Sequence, residues 1–299
     1  MTVLVAFTTI AILSTRPTAW AVTLWGVDSQ HNVGGNSIVT FDSSNPAATI
    51  HTVGHTGVTG LVSGLDFDAH GDLYATTAPI AGGGSFYRIN QSTGQATLIG
   101  ALNLIDPQHN LTDITFDPAT NQCFGVAFNG SDNFLYTINK NTGAGTLVGT
   151  LVSPGSIVLG LCADSSGRMF TEDYGGQMGS LNGLVATPMS GHMGVSTLFS
   201  QGMCMDWSGD GAWYAATTFS DGPAFAQSAG DVRRIDKSTG ATEQILGAWP
   251  NLNPGQSTQF PLYSIGDVAV KPVPEPTFAV SVCAAFLLIA RSRKRLTSS

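Results

Sequence analysis

Charge is scarce in this sequence. Asp, Glu, Lys and Arg make up 11% of its 299 residues, less than half the roughly 25% of an average soluble domain. The net charge is −8. A surface poor in cations excludes nucleic acid as a partner, because phosphate contacts need Lys and Arg. Catalytic signatures are missing too. No Gly-x-Ser-x-Gly elbow anchors a hydrolase triad. No helical His-x-x-x-His with a Glu partner is present; His51 and His55 have that spacing but flank Gly54 at a strand end. Gly82-Gly83-Gly84 joins two strand-like runs instead of opening a helix, which argues against a phosphate cradle. The four Cys form no Cys-x-x-Cys, so structural zinc is not indicated. Nothing implies a cofactor, a metal or an assembled catalytic set.

Glycine is abundant instead, 36 residues, and 42% of the chain is apolar. A low-charge, Gly-rich chain with that apolar fraction suits short strands and tight turns around a real core, not disorder.

The two ends have their own character. An apolar run from Thr2 to Leu13, followed by Ala19-Trp20-Ala21, reads as a secretory signal peptide over residues 1–21, although no Lys or Arg precedes the run. At the other end, Val273, Pro274, Glu275 and Pro276 precede an apolar stretch from Thr277 to Ala290. Arg291, Arg293, Lys294 and Arg295 then form a basic stop-transfer cluster. A single transmembrane helix is expected over 277–290, in a tail spanning 272–299. This tail resembles the PEP-CTERM sorting signal: a Pro-Glu-Pro motif, one helix, an Arg-rich end. The resemblance implies recognition of Val273–Pro276 by an exosortase-type membrane protease, in a Gram-negative host that makes exopolysaccharide. A plain membrane anchor is the alternative.

Between the ends the sequence repeats. Gly64-Leu65-Asp66-Phe67-Asp68 leads to Gly71-Asp72-Leu73-Tyr74-Ala75. The unit recurs around Asp113-Ile114-Thr115-Phe116, Gly160-Leu161-Cys162-Ala163 and Cys204-Met205-Asp206-Trp207. Aligned on Leu65, Ile114, Leu161 and Met205, the copies lie 49, 47 and 44 residues apart. A second unit follows: Phe86-Tyr87-Arg88-Ile89-Asn90, then Thr93-Gly94, then Thr97-Leu98-Ile99-Gly100. It returns at 135–149 and 232–240, and in degenerate form between 174 and 199. Period-two alternation over four to six residues marks strands, and Asn or Asp followed by Thr-Gly marks hairpin turns. Four short strands per roughly 45 residues is the pattern of a propeller blade.

Residues 23–28, 37–42 and 49–54 match the second, third and fourth strands of a period, with no first strand before them. Residues 267–270 match a first strand with no second after them. The chain is therefore expected to be all-β, a five-bladed β-propeller over 22–271, closed by 267–270 beside 23–28. A β-sandwich or solenoid is the structural alternative. The units resemble short propeller repeats of bacterial secreted proteins, which implies architecture and not activity.

Alignment puts Gly64, Asp113, Gly160, Cys204 and Asp267 at one inner-strand position, and Asp66, Thr115, Cys162, Asp206 and Ala269 at another. Asp66, Asp113, Asp206 and Asp267 are the channel-lining candidates; they either converge on a ligand or solvate a narrow channel. Cys162 and Cys204, on neighbouring inner strands, either pair or remain buried thiols. Asp66 to Asp72 has the spaced carboxylates of a calcium loop without its terminal Glu, so an Asx turn fits better. His109 falls in an inter-blade loop. The functional expectation is an exported envelope or matrix protein, a binding or scaffold module whose partner is an exopolysaccharide or a surface protein. The alternative is a polysaccharide lyase or hydrolase acting at the channel mouth.

Overall fold

A computed structural model describes residues 22–28, 36–78, 84–153, 157–194, 199–205, 212–220, 228–248 and 265–272. Alternating strands and tight turns fold these into five antiparallel sheets of four strands each. The first blade holds β1 (Thr23–Asp28), β2 (Ser37–Asp42) and β3 (His51–His55), with a short helix, α1 (Pro46–Thr49), before β3. The second is β4 (Val62–Phe67), β5 (Leu73–Thr77), β6 (Ser85–Ile89) and β7 (Ala96–Ala101). The third is β8 (Asn110–Phe116), β9 (Cys123–Phe128), β10 (Asn133–Ile138) and β11 (Gly145–Leu151). The fourth is β12 (Val158–Ala163), β13 (Met169–Asp173), β14 (Gln177–Asn182) and β15 (Val185–His192). The fifth is β16 (Phe199–Met205), β17 (Trp213–Ser220), β18 (Ser228–Ile235) and β19 (Thr242–Ala248).

The first blade's inner strand comes from the far end of the chain. β20 (Ile265–Val270) pairs antiparallel with β1, Leu24 opposite Val270 and Gly26 opposite Val268. The inner strands pack in the cyclic order β20, β4, β8, β12, β16 and back to β20. The five-bladed ring with terminal closure is therefore present, and β1 and β20 cover each other's edges.

The expected transmembrane helix needs correction. The one helix among the described residues is α1, of 4 residues, and none there is long and apolar enough to cross a membrane. The physical reason is length: an apolar run of fourteen residues as a helix rises roughly 21 Å, against a hydrocarbon core of about 30 Å. Residues 1–21, the motif 273–276, the segment 277–290 and the basic end 291–295 lie outside the described residues.

The core is divided by joint, not by blade. Five apolar clusters are present, and each straddles two neighbouring blades. Leu24, Phe41, Tyr214 and Val268 join the fifth blade to the first. Ile38, Leu65 and Phe67 join the first to the second. Tyr74, Phe86, Phe116 and Tyr136 join the second to the third. A sheet has two faces and each must be covered; a ring covers every face with the next sheet. Each fully buried large apolar side chain contributes about 1.5–3 kcal/mol.

The Thr-Gly turns do more than reverse the chain. Asn90 Oδ1 accepts the amides of Ser92 and Thr93, and Asn139 and Asp236 do the same in their blades. Gly94, Gly143 and Gly240 take φ of 75°, 76° and 76°, where only glycine is unstrained. Each turn docks on a glycine in the outer strand of the preceding blade. A Cβ on Gly54 would stand 2.0 Å from the Thr93 carbonyl oxygen, and one on Gly100 2.1 Å from that of Thr142. Gly54 and Gly100 thus mark backbone-to-backbone contacts between blades, whereas Gly149 faces the Leu184 side chain.

Candidate functional site

Three of the four candidate carboxylates meet on the inner strands; Asp206 lies outside the described residues. Asp267, Asp66 and Asp113 come from the first, second and third blades. Asp267 and Asp113 have no solvent exposure, and Asp66 has 8%. Strand register explains their placing. Asp66, Thr115 and Cys162 stand opposite Tyr74, Phe124 and Phe170. Gly64, Asp113 and Asp267 stand two residues nearer the strand start, beside a bulge that recurs in all five inner strands.

The register also corrects one alignment. Cys204 stands opposite Tyr214 and is therefore level with Asp66, Thr115 and Cys162, not with Asp113. Alignment on Met205 was two residues out, because the bulge hides the true phase of Ser200-Gln201-Gly202-Met203. Cys123, Cys162 and Cys204 are buried thiols, and no disulfide joins Cys162 to Cys204.

The carboxylates are tied to backbone. Asp267 Oδ1 accepts the Val268 amide at 2.7 Å and its Oδ2 accepts the Leu65 amide of the next blade. Asp113 repeats the device: Oδ1 accepts Ile114 N and Oδ2 accepts Leu161 N, both at 2.6 Å. Asp66 Oδ1 takes Phe67 N at 2.7 Å, while its Oδ2 takes Phe116 N at 2.8 Å and the Thr115 hydroxyl at 3.1 Å. Thr115 Oγ1 in turn accepts Ala163 N at 3.2 Å. Each residue spans from its own inner strand to the next one.

Asp113 and Asp267 also act on each other electrostatically. Burial raises both groups well above the usual carboxylate range, and Asp113 further raises Asp267. Burial likewise carries Asp66 to about 7 against the pull of its three donors, and pushes the Cys123 and Cys162 thiols well up. Two buried carboxyls with raised pKa values resemble a catalytic dyad, but a dyad must reach a substrate. Here all four oxygens accept amides and neither group meets solvent. The arrangement ties strands together.

No family model matches the chain. No curated protein matches it either. Among solved structures, a nidogen/laminin complex matches at 11% identity and a TM-score of 0.47, over 84% of this chain and 98% of the other. The PQQ-bound aldose sugar dehydrogenase from Streptomyces coelicolor matches at 17% identity and 0.41, over 69% of each. A putative 6-phosphogluconolactonase from Bacteroides fragilis matches at 11% and 0.43, over 79% and 84%. No chemistry of this chain follows from likeness at that level.

The remaining candidates have local partners. Asp68 Oδ1 accepts the His70 and Asp72 amides at 3.0 Å, forming an Asx turn, and its Oδ2 binds Lys140 of the third blade at 2.6 Å. Burial alone would raise this carboxyl, but Lys140 and the two amides outweigh it and hold it below its ordinary value. His109 is buried; its ring stacks on Phe134 at 3.8 Å between centroids and its Nδ1 lies 2.5 Å from the Tyr136 hydroxyl. His55 Nδ1 meets Ser37 Oγ at 3.0 Å.

Sequence reasoning missed three ties. Asn36 Oδ1 accepts Val62 N at 3.1 Å, and Asn133 Oδ1 accepts Val158 N at 2.8 Å. Both hold the start of the next inner strand, and their position just before or at the third strand was the available signal. Arg233 chelates Asp231 at 2.7 and 2.8 Å and donates to the Met193 carbonyl of the fourth blade at 2.7 Å. Only the Arg233–Asp231 spacing of two on one strand face hinted at it.

Proposed function

We propose that this chain is an exported propeller module of the cell envelope or extracellular matrix that binds or scaffolds and does not catalyse. Its partner is an exopolysaccharide or a surface protein, and Val273–Pro276 is the sorting motif read by an exosortase-type protease. One observation carries the non-catalytic part. Every oxygen of Asp113 and Asp267 accepts a backbone amide, and Asp66 is held by three donors. The polar groups at the axis are spent on joining blades, which favours the surrounding loops as the contact surface. The sorting part is supported by the order of motif, apolar segment and basic cluster in the sequence.

The test has two arms. Purified full-length chain is titrated with exopolysaccharide from a producing bacterium, with release of reducing or unsaturated sugar followed in the same samples. Saturable binding without sugar release is expected; release abolished by Asp113→Asn would overturn the non-catalytic reading. In the second arm the chain is co-expressed with an exosortase-type protease. A mass loss at the carboxy terminus, absent in the Pro274→Ala/Pro276→Ala double variant, is expected, and an unchanged mass would overturn the sorting assignment.

A further inference from the structure

We propose that the turns of the second blade, beside the point where the chain leaves the ring, are a docking surface for the sorting protease, so that folded propeller and motif are read together. The inference rests on the sorting reading above and adds where the protease touches the ring. β20 ends at Val270, which is 4% exposed and pairs with Leu24. Only Lys271 and Pro272 separate it from Val273, the start of the motif. Three residues fully extended span at most about 11 Å. A folded body of even 100 residues has a radius of gyration of about 13 Å. A protease that grips the motif in its cleft therefore meets the ring as well.

The two residues before the motif are held on one heading. Lys271 Nζ donates to Gln91 Oε1 at 2.8 Å, and Gln91 Nε2 donates to the Gly71 carbonyl at 2.7 Å. A Cβ on Gly71 would stand 3.3 Å from Lys271 Cε, so the lysine stem lies against the turn between β4 and β5. Pro272 presets its own φ and keeps Lys271 out of the helical region. A segment already fixed in direction loses little freedom when a partner takes hold of it. The surface beside this exit consists of Ala69 and His70 in the turn between β4 and β5, and Ser92 and Thr93 in the turn between β6 and β7, all exposed. Both turns are firm. Asp68 Oδ1 accepts the His70 and Asp72 amides, and Asn90 Oδ1 those of Ser92 and Thr93. The Ala69 amide donates to Asn121 Oδ1 of the third blade at 3.0 Å. The protease thus meets a preformed surface at a fixed distance from its motif.

The experiment follows carboxy-terminal mass loss of full-length chain by an exosortase-type protease, with initial rates measured over a range of substrate concentrations. The native chain is compared with three others: one carrying about eight Gly and Ser residues between Pro272 and Val273, Lys271→Met, and the double variant His70→Glu/Ser92→Glu. The spacer leaves ring and motif intact and only parts them. KM is expected to rise about tenfold in the spacer chain and severalfold in the other two with kcat unchanged, the mark of lost binding away from the reacting bond. Urea midpoints equal to the native value check that each variant is folded. Equal KM in native and spacer chains, or faster cleavage of the spacer chain, would overturn the docking surface and leave the sorting reading in place. No cleavage of any chain would overturn the sorting reading and this inference with it.

Discussion

The joints on the two sides of the ring are built differently although their strands share one pattern. From the first blade to the fourth, each inner strand reaches the next through a side-chain oxygen: Asp267 to Leu65, Asp66 to Phe116, Asp113 to Leu161, Thr115 to Ala163. At the corresponding inner positions the fourth and fifth blades carry Cys162 and Cys204, and those joints rest on apolar packing. Phe170 packs at a tilt against Trp213, with ring centroids 4.3 Å apart, between the fourth and fifth, and Tyr214, Val268 and Ile265 pack between the fifth and first. The polar tie between the fourth and fifth blades lies further out, where Arg233 donates to the Met193 carbonyl. One repeat thus supports two solutions. The carboxylate joint is directional and fixes register but carries buried acid; the apolar joint tolerates change of shape better and is indifferent to pH.

The largest effects should separate these two kinds of joint. Asp113→Ala strands the amides of Ile114 and Leu161, a loss of about 2–5 kcal/mol. Trp213→Ala opens a cavity at an apolar joint and costs about 3–5 kcal/mol as well. Urea unfolding followed by circular dichroism at pH 5 and pH 8 distinguishes them. The penalty of Trp213→Ala stays the same at both pH values, whereas Asp113→Ala removes a proton-binding group and changes the pH dependence itself. Equal behaviour of the two variants with pH would erase the distinction.

Next in size comes Asp66. Its folded value is about 7 against 3.8 for an unperturbed Asp. Between those values the folded chain keeps a proton that the unfolded chain has released, so stability is fully present below about pH 4 and declines until pH passes 7. The decline amounts to at most about 4 kcal/mol. Asp66→Asn removes this share of the slope, read as the pH dependence of the urea midpoint from 4 to 8. A native protein that gains stability from pH 4 to 7 would contradict it. The sign is the reverse of ordinary acid denaturation, because these carboxyls lie among apolar groups and thiols instead of among cations.

Much of this ring was legible in the sequence because its information is local and periodic. Asp-Gly and Thr-Gly turns set strand ends, alternation set strand faces, and the unpaired fragments 23–28 and 267–270 announced the closure. What stayed hidden is inter-blade chemistry, which no single repeat contains. The Gly54 and Gly100 contacts need the next blade's turn to have meaning. The bulge before Met203 shifted one alignment by two residues and put Cys204 in the wrong layer. Asp113 and Asp267 were visible as inner-strand acids, but the amides of Leu161 and Leu65 that they accept belong to the next blade's strand. The tail remains a matter of sequence order alone.

The smallest effect tests whether polar ties between blades matter beyond the axis. Two ion pairs share the turn around Asp68 to Asp72. Arg88 meets Asp72 at 2.6 Å with side chains 57% and 36% exposed, within one blade. Lys140 meets Asp68 at the same 2.6 Å, but reaches from the third blade to a carboxylate with no exposure. Water screens the first pair and cannot screen the second equally. Arg88→Ala is expected to change stability by less than about 0.5 kcal/mol. Lys140→Ala strands a buried carboxylate that still has two amide donors, and should cost about 1–2 kcal/mol. Raising salt tenfold should weaken neither protein much but shrink the Arg88 effect to nothing. If the two substitutions cost the same, the contact between the second and third blades is carried by the Tyr74, Phe86 and Phe116 cluster alone, and the polar ties set register without adding strength.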